Sequence, residues 1–336
     1  MPGDATYKLF DVPLNLETVD LGDILGASYR EVVTDGLPVV KPTRGEVDAM
    51  LGGKRRDDVV AELPPIMGEC THERLAALAV LAGCPVPTFP VLVAAVQAVA
   101  HDEFNLLAVQ TTTGNVAVAV LVSGPAAAGM GLHSGCNGLG PGPRGNVTVG
   151  RALRLALMNI GGAIPGLLDV ACLGWSGKLS FCTAEHTAAS PWPPFHLDRG
   201  FAGDATVVTV AAAYGFIEMA DAVSTTVQPL LANVAAMMAA ARASGSRGSQ
   251  ALVLLTPQHA HTLAQGGLGR RDVQAYLHEQ LVDLDRHVDA ATGKSVRMVS
   301  TPEDVLLVVT GGNGGKSALV PLWSGSRAVS VVIPAT

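Results

Sequence analysis

The chain predicts an α/β fold, a mixed or mostly parallel sheet with flanking helices, open to division into two lobes. Three observations lead there. Short apolar, β-branched runs recur at Ala205–Ala213, Ala251–Leu255 and Val305–Val309. Segments of helical period lie between such runs, and two of the runs end in loops rich in Gly or His. The order strand, loop, helix is that of a sheet covered by helices.

The elements follow in order. Thr43, with Glu46 three residues on, predicts a capped helix to about Leu51. Pro64-Pro65 breaks the chain, and Thr71 is positioned to cap a helix over Glu73–Ala82, where Leu75, Leu78, Ala79 and Ala82 share a face. Thr88–Ala100 reads as a second apolar helix, and Phe104–Thr111 and Val116–Ser123 as two strands. A Gly-rich loop, Gly135–Gly145, feeds a helix expected from near Thr148, and Leu179–Cys182 reads as a buried strand. Thr225–Ala243 is a long helix that Ser224 is placed to cap, and Ser244–Ser249 a surface loop. Helices are expected after the Ala251 run to about Asp289, and Gly311-Gly-Asn-Gly-Gly-Lys316-Ser follows the last run. These readings divide the chain into an extended lead-in (1–42), an N-terminal α/β region with the Gly-rich loop and the Cys182 segment (43–245), and a C-terminal α/β region (250–336).

Composition narrows the function. A chain of 336 residues with a net charge of −7 and no basic cluster beyond Lys54-Arg55-Arg56 is a poor nucleic-acid binder. Five cysteines without a CxxC pair argue against a disulfide framework and for a reducing compartment. No secretory leader and no apolar run of membrane-spanning length is visible, so the expectation is a cytoplasmic protein that binds neither membrane nor nucleic acid. Homo-oligomerisation is left open.

The chemistry concentrates between Gly131 and Phe201. A Gly-rich loop running into a helix start offers backbone N–H groups and a positive dipole end to an anion. Asn137, Arg144, Asn146 and Arg151 are the expected partners of such a group, with Arg199 further along. Gly312, Asn313 and Lys316 form a second candidate nest for a carboxylate. The Gly311 loop lacks the Walker spacing, so a nucleotide site is the weaker reading beside a plain Gly-rich turn. For catalysis, Cys182, Glu185 and His186 fall within five residues at a strand end, with His196 and Glu69 as further acid–base candidates. Each has an ordinary alternative: a buried core thiol, solvated carboxylates and imidazole, and for Glu69 a capping acid. His133-x-x-Cys136 with Cys182-x-x-x-His186 is a loosely zinc-like set, and no Gly-x-Ser-x-Gly elbow occurs.

GLGPGPRGNVTVGRALRLALMNIGGAIPG, GKLSFCTAEHTAASPWPPFHLDRGF and LLVVTGGNGGKSA together resemble an uncharacterised bacterial family often encoded beside UGSC-motif thiol or selenoproteins, over roughly residues 38–333. Cys182, Glu185, Ser190, Pro191, Trp192, His196, Arg199, Asn146 and Arg151 fit its pattern. His186, Thr187 and Ala188 stand where it carries Asn and two Glu. The family brings no settled activity. What the resemblance implies is a bacterial small-molecule enzyme with thiol-linked chemistry. The expected function is a lyase-type or thiol-dependent step centred on Cys182, on a carboxylate-bearing metabolite. Metal-dependent hydrolysis or lyase chemistry and a non-catalytic binding protein are the alternatives.

Overall fold

The computed structural model describes residues 16–241, 249–284 and 298–334. Along the chain these form β1 (Thr18–Asp20), α1 (Gly22–Leu25), β2 (Glu31–Val33), α2 (Arg44–Leu51), β3 (Val59–Leu63), β4 (Gly68–Thr71), α3 (His72–Ala82), α4 (Phe89–Val99), α5 (Leu106–Thr111), β5 (Ala117–Ser123) and α6 (Arg144–Asn159). Then come β6 (Cys182–Ala184), α7 (Phe195–Asp198), β7 (Val207–Ala213), β8 (Ile217–Ala220), α8 (Val227–Ala241), β9 (Ala251–Leu255), α9 (Pro257–Gln265), α10 (Arg270–Leu284), β10 (Val305–Val309), β11 (Lys316–Pro321) and β12 (Val329–Val332).

Local chemistry explains several boundaries. Thr43 closes a capping box on α2, its hydroxyl accepting from the Glu46 N–H at 3.3 Å while its own N–H donates to the Glu46 carboxylate at 2.8 Å. Thr71 caps α3 through the Arg74 N–H. Helix α6 begins at Arg144, a turn ahead of the expected Thr148, because Pro143 leads in and the Thr148 hydroxyl bonds back to the Arg144 carbonyl instead of capping. The segment read as a strand over Phe104–Thr111 is the helix α5, entered through Asn105 in the left-handed conformation (φ 55°). Strand β6 starts at Cys182, since a turn over Ser176–Lys178 holds the preceding residues. Of the lead-in, residues 16–42 include the β1–β2 hairpin, and residues 1–15 lie outside the described residues. Residues 242–248 and 285–297, carrying most of the expected surface loop and the end of the expected helices, lie outside them too.

Two four-stranded mixed sheets stand at the centre, ordered β12-β7-β5-β6 and β10-β9-β11-β8. Their inner faces pack on each other through residues such as Leu121, Ala211, Leu254, Val308 and Ala318. Helices α3, α4 and α6 cover the outer face of the first sheet, and α8, α9 and α10 that of the second. The layers therefore run helix, sheet, sheet, helix, each strand alternating its side chains between a helix layer and the inter-sheet core. Close packing of α6 on the segment that leads into β6 depends on Gly150, where a Cβ would meet the Ser180 side chain and the Phe181 N–H. No single helix among the described residues is long and apolar enough to cross a membrane.

The two sheets are built alike. In each, two parallel strands joined through helical segments (β5 and β6; β9 and β10) are followed by an antiparallel third (β7; β11) beside the first. The fourth strand of each unit leaves for the other sheet: β8 pairs with β11, and β12 with β7. The boundary expected near residue 250 is thus crossed twice. Registers match row by row, so that Thr183–Leu121–Thr209–Ser330 corresponds to Val308–Leu254–Ala318–Glu218. Two positions on toward the C-terminal ends of the parallel strands, Glu185, Ser123 and Val207 correspond to Thr310, Thr256 and Lys316.

Candidate functional site

Both sequence-singled glycine loops arrive at one place. The Gly311 N–H donates to the Ser134 carbonyl at 2.8 Å, and a Cβ on Gly312 would meet Cys136 at 3.0 Å, so the Gly311 loop lies directly on the Gly135–Gly145 loop. Beside this junction a cleft of about 210 Å³ opens at the C-terminal ends of β9 and β10, where open α/β sheets hold ligands. Thr183, Thr256 and Thr310 give it hydroxyls, and Lys316, Glu218 and Asn137 stand around it. Leu139, Phe216, Leu254 and Ala318 supply its apolar wall, and Leu139 and Phe216 also border a neighbouring recess of about 420 Å³.

The Thr310 hydroxyl bridges the two sheets, donating to the Ala184 carbonyl at 2.8 Å and lying 3.3 Å from the Thr183 hydroxyl. Lys316 pairs with Glu218 at 3.1 Å, both side chains at least half exposed, so the pair contributes little to stability and its charges stay available to a ligand. Of the expected anion-binding residues, Asn137 and Lys316 line this cleft; Gly312 and Asn313 belong to the adjoining turn.

The remaining expected ligands of an anion are engaged elsewhere. Arg151 grips the Asp35 carboxylate with two bonds of 2.6 and 2.8 Å and also reaches the carbonyls of Leu37 and Pro38. Burial pushes the Asp35 carboxyl upward, but the Arg151 bonds and charge outweigh it and leave the group below its ordinary value. Asn146 is buried and staples the Gly-rich loop, binding the His133 backbone and the Gly138 carbonyl. Arg144 donates to the Gly83 carbonyl, and Arg199 to Ser330 and the Ala328 carbonyl. Asn146 and Arg151 therefore do not share an anion pocket; one shapes the loop and the other ties the N-terminal hairpin region to α6.

The expected catalytic constellation divides in two. Cys182 turns toward the helix layer, is buried with Cys84 nearby, and its thiol is pushed up to about 12 by burial. A thiol held neutral and away from solvent is not a nucleophile. Glu185, on the opposite face of the strand, meets His196 through Ser123. The Ser123 hydroxyl donates to Glu185, accepts from the His196 backbone N–H (3.2 Å) and lies 2.9 Å from its Nδ1. Glu185 also accepts from the Phe195 N–H (2.8 Å) and from Arg270 (3.2 Å), whose other amino group holds Asp198 at 2.6 Å. Burial raises the Glu185 carboxyl against the pull of Ser123, Phe195 and Arg270, and burial lowers His196. His186 anchors by its N–H to the Val309 carbonyl, and Glu69 stands exposed on the β3–β4 hairpin, opposite Glu62.

The loose zinc-like set does not gather, because Cys182 faces the helices while the His133 ring bonds to the Cys136 carbonyl. Among the described residues no three His, Cys, Asp or Glu side chains come together as metal ligands would. Sequence reasoning missed Ser123, Arg270, Thr183, Thr310 and Glu218. A usable signal was present for the site's location, since Gly138-Leu139-Gly140 is echoed by Gly267-Leu268-Gly269. No family model matches this chain, and no curated protein matches it.

Proposed function

We propose that the protein is an enzyme of small-molecule metabolism whose carboxylate-bearing substrate binds in the cleft between the two glycine loops. The observation that carries this reading is their convergence, across the 177 positions between Ser134 and Gly311, on a recess with one accessible cation, Lys316, among its lining residues. Lys316 offers the counter-charge, the Asn137 amide and the Thr183 hydroxyl offer donors, and the apolar wall excludes water from the body of the ligand. The Glu218–Lys316 pair supplies the acid and base for a lyase-type proton transfer beside a carboxylate. Thiol chemistry has its accessible groups in Cys136 and Cys172, the two exposed cysteines, of which Cys136 adjoins the cleft through Gly312.

Calorimetric titration with small mono- and dicarboxylates tests the binding step. Saturable binding that Lys316→Met weakens by roughly tenfold supports it; affinity untouched by Lys316→Met removes it. A non-catalytic binding protein is the second reading, favoured by the absence of a buried acid or base among the cleft's described lining residues. Following the bound carboxylates by NMR over hours separates the two, as only an enzyme converts one of them.

A further inference from the structure

The cleft has a counterpart in the other sheet, and there the protein fills it with its own chain. The structural rows place Ser123, Glu185 and Ser330 where the cleft has Thr256, Thr310 and Glu218. All three are contacted by one turn: His196 bonds to Ser123, Phe195 N–H to Glu185, and Arg199 to Ser330 at 3.3 Å. The Phe195 ring lies in the inter-sheet core with Leu121, whose counterpart Leu254 lines the cleft. Even the rim repeats, since Gly138-Leu139-Gly140 borders the cleft and the Leu268 carbonyl of Gly267-Leu268-Gly269 accepts from Trp192, just before the turn.

The reason one site is filled and the other open is a difference in chain length. Residues 185–206 connect β6 to β7 and carry the filling turn, whereas only residues 310–315, Thr-Gly-Gly-Asn-Gly-Gly, connect β10 to β11. The filled site also differs in charge. It presents the Glu185 carboxylate to the Phe195 N–H, the Ser123 hydroxyl and the Arg270 guanidinium, all donors. At the open site Thr310 replaces that carboxylate, Lys316 replaces Val207 and Glu218 replaces Ser330, so the strand ends carry a cation where those of the filled site carry none, and an acceptor is called for at Lys316.

We infer that the cleft takes an aromatic carboxylate, its ring against Leu254 and Ala318, the inter-sheet positions that Phe195 shares with Leu121 in the filled site, and its carboxylate at Lys316. The inference rests on the carboxylate reading above and adds the ring. Burial of a phenyl group against the apolar wall strengthens binding by roughly ten- to a hundredfold over the same acid without it.

The test is calorimetry on the full chain with 3-phenylpropanoate, propanoate and 3-phenylpropanamide. The expected result is that 3-phenylpropanoate binds at least roughly tenfold tighter than either of the others. Equal binding of propanoate overturns the aromatic inference and leaves the carboxylate reading standing. Equal binding of the neutral amide overturns the carboxylate reading, and no binding by any of the three overturns both. Ala318→Leu, which fills the seat of the ring, is expected to cost 3-phenylpropanoate most of its advantage while propanoate is unaffected. Phe216→Ala, at a partly exposed side chain, repeats the test from the cleft wall. Retention of the full advantage in both variants overturns the inference.

Discussion

Residue by residue, burial decides which of the reactive groups can act. Cys70, Cys84 and Cys182 are buried, with thiols pushed up to about 12, 11 and 12, whereas Cys136 and Cys172 are exposed. Brief iodoacetamide labelling near neutral pH, mapped by mass spectrometry, is expected at Cys136 and Cys172, with the other three inert until unfolding; early labelling of Cys182 contradicts the packing described. His196 gives a pH signature. Burial lowers its folded pKa below the ordinary 6.5, so its stabilising share is complete above that value and is lost as pH falls through the folded pKa. His72 shifts in the same direction, so the comparison needs a variant. The urea midpoint of the native chain should drop more between about pH 7.5 and 5.5 than that of His196→Gln. Equal drops would assign the effect elsewhere. Arg270 is the other dependency: Arg270→Ala leaves Glu185 buried without its cation, and such a change costs about 3–5 kcal/mol, readable by urea unfolding. The sequence marks Glu185 and His196 by their polarity in an apolar stretch. It gives no sign that Ser123, the last residue of an apolar strand 62 positions earlier, joins them.

For the elements, legibility followed how local the deciding interaction is. Thr43 with Glu46 and Thr71 with the Arg74 N–H decide their helix starts within one turn, and both starts were readable. The runs Ala251–Leu255 and Val305–Val309 are buried on both faces and read as strands for that reason. Leu106–Thr111 is apolar enough for a strand and becomes a helix through Asn105 and through Gln110 reaching Pro64, contacts that no local pattern records. The helix-to-strand approach at Gly150 is equally silent in sequence. Gly150→Ala should destabilise by about 1–3 kcal/mol because its Cβ meets Ser180 and the Phe181 N–H, measured as a shift of the urea midpoint. A neutral result would mean that α6 sits looser on β6 than described.

In the whole molecule, two equivalent units exchange their fourth strands, and the site arises from their one conspicuous inequality. The mixed sheet with flanking helices was readable, but the pairing of β8 with β11 and of β12 with β7 was not, because exchange is set by connections over the sheet ends and leaves no periodicity. The same holds for the cleft: its loops were singled out by glycine content, whereas their meeting required the fold. The expected entry point of a ligand is the second sheet's open end and not the first sheet's filled one. Hydrogen exchange measured by mass spectrometry with and without saturating 3-phenylpropanoate tests it directly. Added protection confined to residues 137–140 and 311–318 is the predicted result; protection at residues 195–199, or at Arg151 and Asp35, with none at the glycine loops would contradict it.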